Sequence, residues 1–271
     1  MKNLLGIATE ALRLGSKILN DHFGRVSLSQ ADTKGISDYV SDVDRKSEEV
    51  MRDFLERELP DSVFLGEEMG QKDAECTYRW IVDPLDGTTN YLQKFPLFAI
   101  SVALEKRITG EHWGDIVLGA IVQPPTGDLW TAVKGGGAQK NGRSICIGPK
   151  EDLSDCLIAT GFPFRAKNEL GVYLKTFEKL FLRCSGIRRA GAAALDLCWT
   201  AEGVFDGFWE HRLAPWDIAA GALIIKEAGG IFTSFEGDDY YLSSGNVVGA
   251  NPPIHSQMLK IIQETAGSLA S

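Results

Sequence analysis

The sequence has 271 residues, 44% of them hydrophobic and 24% charged, values that are typical of a folded globular protein. Its 37 acidic and 28 basic residues give a formal net charge of −9, which argues against a general nucleic-acid surface because such a surface needs a basic face. No apolar run approaches the length that spans a membrane, and the five scattered cysteines form no Cys-x-x-Cys pair. We therefore expect reduced thiols in a cytoplasmic protein.

Helical and strand-like patterns follow one another along the whole chain. Apolar residues at helical spacing predict helices over residues 4–23, 43–59, 169–182, 192–201, 215–227 and 254–265. Strands are predicted over residues 63–66, 80–82, 98–104, 116–123, 129–134, 138–147, 157–160, 205–210, 231–235 and 246–250. Residues 24–41 are polar and predict a loop, and Asn141-Gly142 predicts a type I′ hairpin.

Helices flank strands in both halves of the sequence, so we expect a layered α/β arrangement. The strands between residues 98 and 147 predict an antiparallel region. Gly148-Pro149 marks a boundary between two α/β subdomains, residues 1–150 and 151–271, which together form one compact functional unit.

The chemistry is concentrated at residues 80–90, which read Trp-Ile-Val-Asp-Pro-Leu-Asp-Gly-Thr-Thr-Asn. A buried strand here delivers Asp83 and Asp86 into a turn made rigid by Pro84. Glu67 follows the preceding strand, and strands adjacent in sequence often lie adjacent in space. Carboxylates 4 Å apart repel each other by roughly 4 kcal/mol at an effective dielectric of 20, so they need a cation or must bind protons. Oxygen ligands without His or Cys favour Mg²⁺ over Zn²⁺.

Two structural alternatives remain open for this stretch. An isolated Asp-x-x-Asp is usually a solvated turn, although the apolar strand before it and the Gly-Thr-Thr after it favour a metal site. The N–H groups of Gly87, Thr88 and Thr89 suit a phosphate, but threonine here also suits a simple helix cap. The phosphate site and the helix cap are compatible with each other in the same residues.

Residues 80–90 resemble the first signature of the inositol monophosphatase family. Residues 215–222, followed by Glu-Ala-Gly-Gly at 227–230, resemble the second, and Gly66-Glu67-Glu68 matches in order and spacing. The resemblance covers nearly the whole chain and is greatest to the inositol-phosphatase branch with its bacterial SuhB-like members. It implies alternating αβαβα layers, the fold shared with fructose-bisphosphatases, together with a homodimer and inhibition by Li⁺.

The resemblance also implies a ligand set for two or three Mg²⁺ ions. Glu67, Asp83 and the Leu85 carbonyl would hold the first ion, and Asp83, Asp86 and Asp217 the second. Glu67 would also help a third. Spacing alone would not place Asp217 in this site, because an acid in the first turn of a helix is favourable anyway. Most metal ligands thus fall in the N-terminal subdomain, and the C-terminal one contributes Asp217 and substrate contacts.

Catalytic roles follow from the same resemblance. Thr88 would accept the proton of the attacking water in a relay with Asp44, while Glu67 acts beside the first metal ion. Asp44 has the alternative role of capping the second helix. The residues that the resemblance assigns to substrate binding are Asp86, Gly87, Thr88, Arg188, Gly191, Ala192, Ala193, Glu210 and Asp217. Ala192 departs from the Ser or Thr common in the family, and Glu210 is equally explained as a solvated acid at a strand end.

The sequence therefore predicts a Mg²⁺-dependent phosphomonoesterase that hydrolyses myo-inositol monophosphate, or a related polyol or sugar phosphate, by direct attack of metal-activated water. One alternative is a sister phosphatase for fructose 1,6-bisphosphate, histidinol phosphate or 3′-phosphoadenosine phosphate. Another is an interaction protein that retains the fold and binds a macromolecule. The expected partner is a small-molecule phosphate ester, with no membrane and no nucleic acid. The four histidines show no ligand spacing and indicate surface or packing positions.

Overall fold

The computed structural model describes residues 2–26, 32–35, 38–40, 42–71, 76–107 and 113–267. The helices of this described part are α1 Lys2–His22, α2 Asp42–Glu58, α3 Thr88–Leu92, α4 Leu170–Phe181, α5 Ala193–Ala201, α6 Pro215–Glu227, α7 Tyr241–Ser244 and α8 Pro252–Gly267. Its strands are β1 Asp32–Gly35, β2 Asp38–Val40, β3 Ser62–Gly66, β4 Gly70–Gln71, β5 Tyr78–Asp86, β6 Ala99–Arg107, β7 Trp113–Gln123, β8 Asp128–Val133, β9 Ala138–Lys140, β10 Arg143–Ser144, β11 Leu157–Thr160, β12 Gly186–Arg188, β13 Gly207–Glu210, β14 Ile231–Ser234 and β15 Val247–Ala250.

The six helices predicted from periodicity are all present, as α1, α2, α4, α5, α6 and α8. Local signals fix their ends. Helix α6 begins at Pro215, whose fixed φ suits the first helical turn, and the chain leaves it through Gly229 at φ +90°. Asn141 and Gly142 both have positive φ, as the predicted type I′ hairpin between β9 and β10 requires.

The larger sheet has eight strands in the order β10-β9-β8-β7-β6-β5-β3-β4. Every pair in it is antiparallel except β3 with β5, which confirms the antiparallel region predicted from the sequence. Helices α1 and α2 cover one face, where they bury Leu12, Leu19 and Met51 against the strand side chains. Helices α5 and α6 cover the other face.

The smaller sheet has five strands in the order β12-β11-β13-β15-β14. Helices α5 and α6 pack on one of its faces and α4 and α8 on the other. The same two helices therefore lie between both sheets, where they form a dry core of small and aliphatic residues. The layer is tightly packed, because a Cβ on Gly119 of β7 would lie only 2.7 Å from the carbonyl oxygen of Ala220 in α6.

These contacts give five layers in the order helix, sheet, helix, sheet, helix, so the predicted αβαβα architecture is confirmed. The predicted division at residue 150 stays a prediction. The strands of the larger sheet all precede residue 150, and those of the smaller sheet all follow it.

The structure differs from the prediction in several short strands. Strands β1 and β2 pair within the segment predicted as a loop, and β4 and β12 were not predicted. These strands have two to four residues each and carry little apolar alternation, so periodicity does not reveal them.

All five cysteines are free thiols, in agreement with the expectation of reduced sulfur. Among the described helices, none combines the length and apolar character that crossing a bilayer requires.

Candidate active site

A cavity of about 850 Å³ opens where the two sheets and the central helices meet. Its wall is formed by the ends of β3 and β5 from the larger sheet, by the ends of β11 and β13 from the smaller one, and by the first turns of α5 and α6. The acidic side chains that line it are Glu67, Asp83, Asp86, Asp196, Glu210 and Asp217. The fold thus brings together acids that lie up to 150 residues apart in the sequence.

Glu67 and Asp83 meet because β3 and β5 run parallel and in register. Gly66 pairs with Val82, so the next residue of each strand lies at the same edge of the sheet. Asp83 is buried, and burial together with the charges of Glu67, Asp86 and Asp217 raises its pKa well above the ordinary value. The carboxylates predicted to share one site are therefore within electrostatic reach of one another.

The turn after Asp83 directs the second aspartate into the cavity. Pairing of β5 with β6 is interrupted between Asp83 and Asp86, where Pro84 has no N–H to donate. The Leu85 N–H donates to Asp83 Oδ1 at 2.9 Å, and Asp86 Oδ2 accepts the N–H of Ala194 at 2.7 Å. Burial and the charge of Asp217 raise the pKa of Asp86 to about 7.

Asp217 lies in the first turn of α6, as its position after Pro215 predicts. Its Oδ2 accepts the N–H of Ala214 at 2.7 Å, so it caps the helix, which is the structural role the sequence left open. The same oxygen also faces the cavity and accepts a second hydrogen bond from Arg165 Nη1 at 2.6 Å. The structural and the site role are thus compatible in one residue.

Thr88 and Asp44 make direct contact. The Thr88 hydroxyl has two possible acceptors. Its Oγ1 lies 3.3 Å from Asp44 Oδ1 and 3.1 Å from the carbonyl oxygen of Leu85. Asp44 comes from the first turn of α2 and is buried. The hydrogen-bonded pair that the proton relay needs is therefore present, and its catalytic role stays a prediction.

Arg165 lies among the predicted metal ligands. Its Nη1 binds Asp217, and its Nη2 lies 3.5 Å from Glu67 Oε1. The charges of Asp217 and Glu67 raise the pKa of Arg165 further above its already high value. Among the described residues, no group of three or more His, Cys, Asp or Glu side chains is arranged as a ready cation cage.

The chemistry of the donor set nevertheless fits a hard divalent cation. Glu67, Asp83, Asp86 and Asp217 supply carboxylate oxygens, and the Leu85 carbonyl is at the same cavity wall. Burial and the neighbouring carboxylates raise the pKa values of Asp83 and Asp86, so their ionised forms would be favoured by added positive charge. A bound cation would supply that charge, with Arg165 as its competitor.

The phosphate and substrate segments lie beside the acids. Gly87 has φ +90°, and a Cβ there would lie 3.1 Å from the Leu97 carbonyl and 3.2 Å from that of Gly191, so only glycine fits. The Asn90 amide donates to the carbonyls of Leu97 at 2.7 Å and Ala190 at 3.0 Å. The first signature is thus tied to the segment that carries Gly191, Ala192 and Ala193, all of which line the cavity.

Arg188, which the sequence predicted as a substrate contact, and its neighbour Arg189 lie differently relative to the cavity. Arg188 ends the edge strand β12, is exposed and lies outside the cavity lining, with its Nη1 donating to the Ile187 carbonyl at 3.1 Å. Arg189 lines the cavity instead, with its guanidinium 5.3 Å from the ring centre of Phe162 and 5.1 Å from that of Phe164. Strand β12 ends at Arg188, and Arg189 lies in the segment that leaves the strand toward Gly191 and the cavity.

Glu210 is buried at the end of β13 and is not the solvated acid that the sequence left as an alternative. Its carboxyl lies so close to Gly161 that an added Cβ would overlap it. Burial and the charges of Asp196, Asp217 and Asp86 raise the pKa of Glu210 well above its ordinary value. Among the histidines, His211 lines the cavity, buried against Trp209 and Phe235.

Among the lining residues that sequence reasoning missed, Arg165 and Asp196 interact with the predicted acids. Arg165 follows β11, and β11 runs parallel to β13, so their carboxyl ends meet at one sheet edge next to Glu210. Asp196 is the single acid in the otherwise apolar helix α5. A charged residue just after a parallel strand, or within an apolar helix, indicates a functional site. Neither pattern reveals which other residues that charged residue contacts.

Comparison with known proteins places the chain in a family. Residues 1–267 match the model of the inositol monophosphatase family. The chain therefore belongs to the inositol monophosphatase family, a phosphatase family that is generally metal-dependent.

Similar proteins carry several names. This chain is 44% identical to an inositol-1-monophosphatase of Rhizobium meliloti, over 96% of each of the two chains. Over 97% of both it is 39% identical to a fructose-1,6-bisphosphatase/inositol-1-monophosphatase of Aquifex aeolicus. It is 42% identical to a putative Nus factor SuhB of Neisseria meningitidis, over 97% of this chain and 98% of that one. The crystal structure of the extragenic suppressor protein suhB from Bartonella henselae superimposes with a TM-score of 0.89 at 38% identity, covering 96% of this chain and 98% of that one.

Proposed function

We propose that this protein is a Mg²⁺-dependent phosphomonoesterase that hydrolyses myo-inositol monophosphate or a closely related polyol phosphate. The observation that carries the proposal is the convergence of Glu67, Asp83, Asp86 and Asp217 on one cavity beside the Thr88–Asp44 pair. Family membership and the inositol-1-monophosphatase name of the Rhizobium relative support it. Inhibition by Li⁺ at a metal position belongs to the same proposal.

Glu67, Asp83 and the Leu85 carbonyl would hold one Mg²⁺, and Asp83, Asp86 and Asp217 would hold another. Bound there, Mg²⁺ would lower the pKa of water and stabilise the negative charge of a departing alkoxide. Four carboxylate side chains would thus act as metal ligands. The turn at Pro84 and the capped start of α6 hold two of these carboxylates, Asp86 and Asp217, in fixed positions. Rigid ligands favour an ordered arrangement of the reacting groups.

Thr88 and Asp44 would manage the proton of the attacking water. The Thr88 hydroxyl can accept that proton while its own passes toward Asp44 Oδ1, 3.3 Å away. Asp44 is buried, and the Leu85 carbonyl offers the hydroxyl a second acceptor. The pair therefore supplies a short path that leads the proton away from the phosphate.

The phosphate would bind beside the acids and the polyol deeper along the wall. Gly87 and Thr88 begin α3, where backbone N–H groups favour an anion. The backbone from Gly191 to Ala193 lies next to them, and Glu210 faces the same space. Hydroxyl groups of a polyol are suitable donors to such a buried carboxyl.

The direct test is release of inorganic phosphate from a panel of esters, with and without Mg²⁺. We expect release from myo-inositol 1-phosphate that needs the metal and exceeds release from histidinol phosphate and 3′-phosphoadenosine phosphate in kcat/KM. The metal-free protein and the Asp83→Asn variant serve as controls. Failure to release phosphate from any ester at saturating Mg²⁺ would favour the interaction protein instead.

The second candidate is hydrolysis of fructose 1,6-bisphosphate, which the name of the Aquifex relative favours. Arg189 lines the cavity and is held against Phe162 and Phe164, so its guanidinium would be available to bind a second phosphate. Including fructose 1,6-bisphosphate in the same panel tests this. A higher kcat/KM for the bisphosphate than for inositol 1-phosphate, lost on Arg189→Met, would make it the preferred substrate.

A further inference from the structure

One carboxylate of the cavity has no role in the metal and proton chemistry described above. Asp196 lies in the first turn of α5 and lines the cavity, yet the residue is only 1% exposed. Its Oδ1 is buried and makes no hydrogen bond to any atom in the described part of the protein. A buried polar atom without a partner costs about 1–3 kcal/mol, and more when it is charged, so such an atom is unusual unless a ligand completes it.

The surroundings of Asp196 are fixed by the site itself. Two residues earlier in α5, the N–H of Ala194 donates to Asp86 Oδ2, which sets the distance between the helix and the reaction centre. Thr200 binds the backbone carbonyl of Asp196 at 2.7 Å and leaves its carboxyl unaffected. Leu195 and Leu197 on either side of Asp196 carry no hydrogen-bond donor in their side chains, and Oδ1 of Asp196 receives no hydrogen bond from the described residues.

Glu210 is the second member of this group. Glu210 reaches the same cavity from β13 in the smaller sheet. The charge of Asp196 raises the pKa of Glu210, so the two carboxyls lie within electrostatic reach of each other. Arg189 lies close enough to lower the pKa of both. Burial keeps the pKa of Asp196 well above its ordinary value as well, so the pair holds a proton more readily than exposed acids do.

A buried carboxyl that holds a proton can both donate and accept hydrogen bonds, and an ionised one beside it can accept them. That combination matches neighbouring hydroxyl groups on a ring, because each hydroxyl is also both donor and acceptor. It does not match an apolar alcohol, which would leave both acids without partners.

Resting on the proposed function, we propose that Asp196 is a specificity residue which, with Glu210, binds neighbouring hydroxyl groups of the polyol part of the substrate. Asp196 selects esters whose alcohol carries hydroxyls at that wall. It contributes much less to esters that carry none, since no hydrogen bond joins its carboxyl to a predicted metal ligand among the described residues.

The test compares two esters in the purified full-length chain with saturating Mg²⁺. One is myo-inositol 1-phosphate, and the other is 4-nitrophenyl phosphate, whose alcohol has no hydroxyl to bind. Asp196→Leu fills a similar volume without an acceptor, and Asp196→Ala, which also removes the acceptor, gives the same comparison should the leucine variant fail to fold. We expect the ratio of the two kcat/KM values to fall roughly 10- to 100-fold, the range for a lost hydrogen bond to a charged group.

A cycle with deoxy substrates identifies the contact. Removing the hydroxyl that Asp196 binds from the inositol ring should lower kcat/KM in the unmodified protein and have little further effect in Asp196→Leu. An unchanged ester ratio, or an equal fall for both esters, would overturn the inference and leave the phosphatase standing. Absence of hydrolysis of either ester by the unmodified protein would overturn the proposed function itself.

Discussion

Arg165 donates a hydrogen bond from Nη1 to Asp217 Oδ2 at 2.6 Å, while its Nη2 lies 3.5 Å from Glu67 Oε1. The two acids are 150 residues apart in the sequence, and both belong to the predicted metal ligands. The guanidinium therefore supplies positive charge to the same oxygens that a cation would take. We therefore expect Arg165 to compete with a bound metal ion for these two carboxylates.

The first prediction concerns this competition. Arg165→Gln should raise the affinity for Mg²⁺ roughly tenfold, corresponding to about 1.4 kcal/mol, because the variant removes a positive charge from the cavity. The same change should lower the thermal midpoint in EDTA, since the acids lose their partner. Isothermal titration calorimetry and differential scanning fluorimetry measure the two effects.

The matched control is Arg212→Gln. Arg212 also lines the cavity, but it pairs with Glu169 at 2.7 Å, away from the predicted metal ligands. The control removes the same charge and should leave the Mg²⁺ affinity nearly unchanged. Weaker metal binding by Arg165→Gln than by the control would show that Arg165 supports the metal and does not compete with it.

The second prediction is that Asp83→Asn abolishes turnover while the fold survives. We expect kcat to fall at least about a thousandfold, because a shared metal ligand contributes several kcal/mol. The amide oxygen can still accept the Leu85 N–H, and removal of one charge relieves repulsion from Glu67 and Asp86. The thermal midpoint in EDTA should therefore be equal or higher. Near-normal activity with excess Mg²⁺ would show that Asp83 does not hold the ions.

The third prediction concerns pH. The pKa of Asp86 rises from about 3.8 to about 7 on folding, so between these values the folded state holds a proton that the unfolded state has released. The free energy of unfolding of the metal-free protein should therefore fall as the pH rises from about 4 to about 7. Mg²⁺ competes with the same proton, so its affinity should increase over this range.

Thermal denaturation in EDTA and Mg²⁺ titration, each at several pH values, measure these two slopes. Asp86→Asn removes one titrating group and should reduce both slopes, with Asp83, Asp196 and Glu210 left to contribute the remainder. A metal-free protein that becomes more stable between pH 5 and pH 7, with Asp86 intact, contradicts the prediction.

The fourth prediction tests the Thr88–Asp44 hydrogen bond. Thr88→Val keeps the shape of the side chain but removes the hydroxyl, so kcat should fall by about 10² to 10⁴, the usual contribution of general acid–base catalysis. The affinity for Mg²⁺ should change little. Thr89→Val is the control, since the neighbouring hydroxyl also lines the cavity but has no such partner in the proposed relay. An equal effect of both substitutions on kcat would argue against the relay.

The fifth prediction is the homodimer. Phe181 and Leu182 at the end of α4 are 56% and 73% exposed, and Leu174 on the same helix is 52% exposed. Clusters of exposed apolar residues of this kind commonly mark contact surfaces. Light scattering should give twice the chain mass of 29.6 kDa, and Leu174→Glu should reduce it. Val204→Glu, at another exposed apolar residue, should not. A single-chain mass for the unmodified protein refutes the dimer.

The sequence by itself determined the local structure and the position of the first site segment. Helix α6 could be placed from Pro215 at its start and Gly229 beyond its end, and the apolar strand before Asp83 predicted where the acids emerge. Glu67 could be joined to Asp83 because the two strands are close in sequence and pair in parallel. These signals are local, since they depend on the φ angles, hydrogen-bonding capacity and periodicity of neighbouring residues.

Only the tertiary structure decided which distant residues meet. No periodicity relates Asp217 to Asp83, and resemblance alone suggested their association. The packing of α5 between the two sheets places Asp196, and the segment that follows β11 places Arg165. The position of Arg189 in the cavity depends on how the chain leaves β12. Side-chain convergence across layers is set by packing over the whole molecule, which a local pattern in the sequence does not encode.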